Sequence, residues 1–70
     1  MRYAIVIEPG ASNFSAYVVD VPGCIATGST LEETEQAIRD AIAFHLDGLR
    51  ADGQPIPQPV SKVDYVEVAA

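Results

Sequence analysis

The hydrophobic positions of this seventy-residue chain change period once, and the change separates two kinds of structure. In the first part, Tyr3-Ala4-Ile5-Val6-Ile7 is short, rich in β-branched residues and stopped by Glu8-Pro9-Gly10, which predicts a strand. Ala11-Ser12-Asn13 completes a polar loop. A second strand is predicted over 14–20, with Phe14, Ala16 and Val18 on one face, and the short loop before it fits an antiparallel hairpin. Val21-Pro22-Gly23-Cys24 then carries proline second and glycine third, the residue order of a type II turn. Residues 24–28 read as the third strand of a meander.

From Thr30 onward the period is helical. Leu31, Ile38, Ile42, Leu46 and Leu49 fall within one arc at 100° per residue, which predicts an amphipathic helix. Thr30 stands three residues before Glu33. That is capping-box spacing, with the hydroxyl accepting from the Glu33 amide and the Glu33 carboxylate accepting from the Thr30 amide. Glu32, Glu33 and Glu35 suit the positive end of the helix dipole. Gly53 is placed to end the helix, after about Asp52, in the left-handed conformation. Pro55, Pro57 and Pro59 exclude helix and favour a polyproline-like strap. Lys62–Val68 alternates and is expected as a final strand. The order β-β-β-α-β places the chain in the α+β class: one domain over 1–70, with a small, mostly antiparallel sheet and one helix packed on one face.

Composition narrows what such a domain does. At 49% hydrophobic and 20% charged the chain is globular, not disordered. Area scaling has a domain this small bury only about 60% of its unfolded surface, so a partner or a second copy would stabilise it. Ten acids against four bases give a net charge of −6, which disfavours direct nucleic-acid binding and anionic membranes. A basic protein is the natural complement. Six acids and two arginines lie between Thr30 and Asp52, so the helix carries −4 of that charge. One cysteine excludes an internal disulfide and a cysteine-based zinc cluster. No apolar run approaches the ~20 residues of a membrane span, and Met1-Arg2-Tyr3 does not open a secretory signal, so a cytoplasmic protein is expected.

Chemistry is sparse. Cys24 and His45 are the only thiol–imidazole candidates, and a buried core cysteine with a helix-edge histidine is their ordinary reading. His45 alone is too few ligands for zinc. Glu8 and Asp20 end strands on either side of the first hairpin, and a metal-assisted hydrolase built on them is the enzymatic alternative. Acids also end strands simply because turns face water. The glycines are dispersed and form no phosphate-cradling loop. No catalytic residue, metal site or cofactor is expected. Surfaces remain: the exposed helix face of Glu32, Gln36, Arg39, Asp40 and Asp47, and Phe44, which projects about 140° from the Leu31–Leu49 line beside Ala37, Ala41 and Gly48. Two fates are open to Phe44, under the proline strap or in an interface. One helix covers only one sheet face, so some of Ala4, Tyr17, Val19 and Val21 must stay exposed or find a partner.

The order of these motifs carries a resemblance. Asp20-Val21-Pro22-Gly23-Cys24, Thr27-Gly28-Ser29-Thr30, Glu32-Glu33 opening a helix, then Gly53 and Ile56-Pro57-Gln58-Pro59 resemble the HicB-like antitoxin family over essentially the whole chain. The resemblance implies the HicB N-terminal fold, described as a partial ribonuclease-H-like β-β-β-α-β unit, without catalysis because no acidic active-site set is matched here. It implies a partner, a HicA-type toxin, which is a small basic mRNA-cleaving ribonuclease whose RNA-cleaving surface the antitoxin covers. Self-association as a dimer or tetramer is implied as well, and a stand-alone homo-oligomer without a toxin is the alternative. Many full-length HicB antitoxins add a C-terminal DNA-binding domain. No basic helix follows the last strand here, so direct operator binding is not expected.

Overall fold

The structure, a computed structural model, describes residues 1–70. Strands β1 (Ile5–Pro9), β2 (Phe14–Val18) and β3 (Ile25–Gly28) form one antiparallel sheet in the order β1-β2-β3. The register pairs Ile5 with Val18, Ile7 with Ala16 and Ala16 with Ala26. Strand alternation therefore turns Ile5, Ile7, Phe14, Ala16, Val18 and Ala26 to one face and Val6, Glu8, Ser15, Tyr17, Ile25 and Thr27 to the other. Helix α1 (Leu31–Ala51) packs across β3 and β2 on the first face. The core is Ala16, Val18, Val21, Cys24 and Ile38, with Tyr3, Ile5, Ile7, Ala26, Ala41 and Ile42 half-buried against it. The class expected from the hydrophobic pattern is the one observed.

β1 runs to Pro9, two residues beyond its expected end. Pro9 lies in an edge strand, where its missing N–H costs no ladder bond, and the hairpin closes with the Gly10 amide donating to the Asn13 carbonyl at 2.7 Å. The turn after β2 is as its sequence predicts: the Cys24 amide donates to the Val21 carbonyl at 3.2 Å and Gly23 has φ +79°. This turn drives both Val21 and Cys24 into the core, so Val21 is not among the exposed apolar residues.

The helix ends follow local chemistry. Thr30, in extended conformation, caps α1 by accepting from the Glu33 amide at 3.1 Å. The Glu33 carboxylate reaches back one residue further than the capping box predicts, accepting from the Ser29 amide at 3.1 Å. Thr34 is fully buried under the first turn, and its hydroxyl donates to the Thr30 carbonyl at 2.7 Å. At the other end the Gly53 amide donates to Arg50 at 3.1 Å and the Gln54 amide to Leu49 at 2.9 Å, with Gly53 at φ +67°. That pair of bonds is a Schellman motif.

Beyond the helix the chain returns to β1. The Tyr3 hydroxyl donates to the Pro57 carbonyl at 2.6 Å, and Ile56, Pro57 and Pro59 are half-buried along this strap. The expected fourth strand is absent: Lys62–Val68 has no regular structure, pairs with no strand and is exposed throughout. Alternation confers strand propensity but not a pairing partner. Here the apolar residues also divide between faces, Val63 and Tyr65 on one and Val66 and Val68 on the other, so neither face directs the segment onto its own sheet. No helix is long and apolar enough to cross a membrane.

Candidate functional site

The outer face of α1 carries the sequence-predicted contact residues. Glu32, Gln36, Asp40 and Phe44 recur every four residues and form one ridge along the exposed helix. Polar links tie part of it together: the Gln36 amide donates to an Asp40 carboxylate oxygen at 2.9 Å, and Arg39 donates to the Gln36 amide oxygen at 3.4 Å. Asp47 pairs with Arg50 at 3.3 Å, both well exposed, a contact that orders the surface more than it stabilises the fold. Arg39 and Asp47 also stand at the rim of a groove between α1 and the N-terminal residues.

Phe44 is 83% exposed. The strap passes by way of Tyr3 and Pro57 instead, so the alternative that buried Phe44 beneath it is overturned. Its helical neighbours are Ala37, Ala41 and Gly48, which leave the ring standing clear of the backbone with acidic residues along the ridge. An exposed aromatic flanked by small residues is the form of an interface anchor. A second apolar row crosses the open sheet face, where Val6 pairs with Tyr17 and Tyr17 with Ile25; Ile25 is 71% exposed.

The candidate chemistry is not assembled. Glu8 pairs with Ser15 near the hairpin tip, whereas Asp20 lies past the opposite end of β2, on the order of 15 Å along the ladder. Both Asp20 carboxylate oxygens are engaged by Ser61, accepting from its hydroxyl at 2.6 Å and its amide at 2.9 Å. Those bonds, the hydroxyl's first, hold the Asp20 carboxyl below the usual aspartate range. The Glu8–Asp20 hydrolase is therefore overturned as a site. Cys24 lies in the core cluster with Ile38, and burial pushes its thiol up. His45 is outside that cluster, about 10 Å further along the helix than Ile38. Three features escaped sequence reasoning: the burial of Thr34, the Asp20–Ser61 link and the open groove beside β1. The Thr34-x-x-x-Ile38 spacing was the one available signal.

An acidic, aromatic-tipped helix face on a small antiparallel sheet has the character of a protein-docking surface. Comparison with known proteins makes that character specific. Residues 3–69 match the family described as the HicB-like antitoxin of bacterial toxin–antitoxin systems, and the chain belongs to that family. It is 38% identical over 66 residues to an uncharacterized 14.9 kDa protein from the rep-hol intergenic region of Haemophilus phage HP1, covering 94% of this chain and 50% of that one. It is 29% identical over 72 residues to antitoxin HicB of Escherichia coli K12, covering 97% and 52%. The chain thus spans about half the length of these curated relatives. Among solved structures it superposes on a chain of the HicA3 and HicB3 toxin–antitoxin complex with a TM-score of 0.75 at 30% identity, covering 86% of this chain and 70% of that one.

Proposed function

We propose that this chain is the toxin-binding part of a HicB-like antitoxin, and that its α1 ridge docks on a small basic HicA-type toxin to mask the toxin's RNA-cleaving surface. The observation that carries this reading is Phe44, exposed on a helix that holds half of the net negative charge. The family supplies the partner class, and the charge supplies the complementarity. An acidic ridge attracts a protein built to hold RNA phosphates and steers the encounter, while Phe44 provides the desolvated anchor that charge alone does not. In this reading the chain catalyses nothing itself. It also self-associates, favoured by the exposed Tyr17 and Ile25 beside half-buried Val6 on the open sheet face and by the small core.

The test is inhibition. Purified toxin from the same operon is assayed for mRNA cleavage while this chain is titrated in, at low and at high salt. Stoichiometric inhibition that weakens as salt rises supports the proposal. Cleavage unaffected by an excess of the chain overturns it.

A further inference from the structure

Three of the four cationic side chains in this acidic molecule gather at one place. Arg2, Arg39 and Arg50 line the groove of about 590 Å³ that runs between α1 and the N-terminal residues. Its floor is apolar, made by Tyr3, Ile5, Ile38, Ile42 and Leu46, all buried or half-buried. Glu35 and Asp47 are the acids of its lining, so a chain with a net charge of −6 has one groove whose lining is net positive.

The arginines differ in what holds them. Arg50 pairs with Asp47 at 3.3 Å. Arg39 stands four residues after Glu35, the spacing and order that favour a helix ion pair, yet no carboxylate oxygen lies within 4 Å of its guanidinium. Its side chain makes one hydrogen bond, a long one of 3.4 Å to the Gln36 amide oxygen. Arg2 has no carboxylate within 4 Å either. Two uncompensated guanidinium groups beside an apolar floor suit a carboxylate carried next to apolar side chains.

Arg39 also belongs to the docking ridge. It donates to Gln36, which donates to Asp40, and residues 36 and 40 lie about 100° round the helix from 35 and 39. Ridge and groove therefore share one rim, and a partner seated on Gln36, Asp40 and Phe44 reaches the groove over Arg39. A free arginine at that place repels the very charge that the ridge attracts. Covering it with a partner is costly unless a carboxylate meets it.

We infer that the toxin docks in two parts: its basic surface on the acidic ridge, and an acidic, apolar-bearing segment of the same toxin in the groove, where a carboxylate pairs with Arg39 and apolar side chains cover Ile42 and Leu46. Arg39 thereby selects the cognate toxin among basic proteins. This rests on the toxin-binding reading above and names the second half of the contact.

The test is calorimetric titration of purified toxin from the same operon with the full chain as wild type, Arg39→Glu, Arg39→Lys and Ala43→Trp. Arg39 and Ala43 are exposed and Arg39 makes no ion pair, so the variants stay folded, which circular dichroism checks. Arg39→Glu makes the chain more acidic, so attraction of a basic toxin by charge alone would tighten binding. Two-part docking predicts the reverse, at least about tenfold weaker binding. Arg39→Lys keeps the charge without the bidentate fork and should lose less. Ala43→Trp fills the groove without changing its charge and should also bind at least about tenfold more weakly. One toxin variant with a single Asp or Glu changed to Lys should restore binding to Arg39→Glu. Arg39→Glu binding as tightly as wild type, or more so, overturns two-part docking while the ridge stands. Weaker binding that no toxin reversal restores, or that Ala43→Trp does not share, also overturns it. Toxin binding unchanged in the variants with a reduced mass by light scattering places a second copy in the groove, which overturns it as well. A wild type that binds no toxin overturns the reading on which it rests.

Discussion

At Gly28, β3 passes so close to the start of α1 that no side chain fits between them. A Cβ there would lie 2.6 Å from the Thr34 hydroxyl oxygen, 2.7 Å from the Thr34 amide nitrogen and 3.0 Å from its Cα. Two of those three atoms are backbone. The third belongs to a fully buried side chain already bonded to the Thr30 carbonyl, so a rotamer change cannot relieve the overlap. Gly28→Ala must push β3 away from α1, the two elements that close the core. Overpacking of this kind costs about 1–3 kcal/mol. Restricting the unfolded chain returns about 0.4–1 kcal/mol. The expected net loss is about 1–2 kcal/mol, a fall in Tm of roughly 5–15 °C for a domain of this size. Gly48→Ala is the matched control: nothing lies within 4 Å of its Cβ, and alanine in a helix interior is worth about 0.5–1 kcal/mol over glycine. Thermal and urea unfolding at one fixed protein concentration should move in opposite directions for the two variants. A Gly28→Ala chain as stable as wild type would refute the close-approach argument.

Thr30→Ala removes the α1 cap and should cost about 1 kcal/mol by urea unfolding, and no loss would mean that the cap bond contributes nothing. Asp20 has its pKa depressed by Ser61, so its link is fully present above the unfolded aspartate value of about 3.9 and is lost as pH falls through the lower folded value. The Ser61 amide resonance should therefore stay constant from pH 8 to 5 and move only in that acid window, with the acid step missing in Asp20→Asn. Cys24 should react with a thiol reagent more than about tenfold slower in the folded chain than in urea, and equal rates would contradict its place in the core.

The elements that were legible in the sequence are those set by short-range chemistry. Pro22-Gly23 allows one turn, Thr30 and Gly53 mark the ends of one helix, and the period-two stretches give the meander. What was not legible depends on contacts between distant residues. The fate of Phe44 turns on the course of the strap, which the Tyr3–Pro57 bond sets across 54 positions of sequence. Lys62–Val68 has the pattern of a strand, yet pattern does not name the edge it joins. Of the candidate site, the acidic ridge was visible as helical spacing. Glu8 and Asp20 were paired by their nearness to one hairpin, and the ladder separates them because they sit at its opposite ends.

The central claim is that the α1 ridge, not the open sheet face, receives the toxin. Calorimetric titration of the HicA-type toxin with wild type, Phe44→Ser, Asp40→Lys and Ile25→Ser tests it directly. Phe44 and Asp40 are exposed, so the first two variants should unfold within about 0.5 kcal/mol of wild type. They should bind at least tenfold more weakly, while Ile25→Ser binds as wild type does. Binding lost in Ile25→Ser and kept in the two helix variants would contradict the account and move the interface to the other face of the sheet.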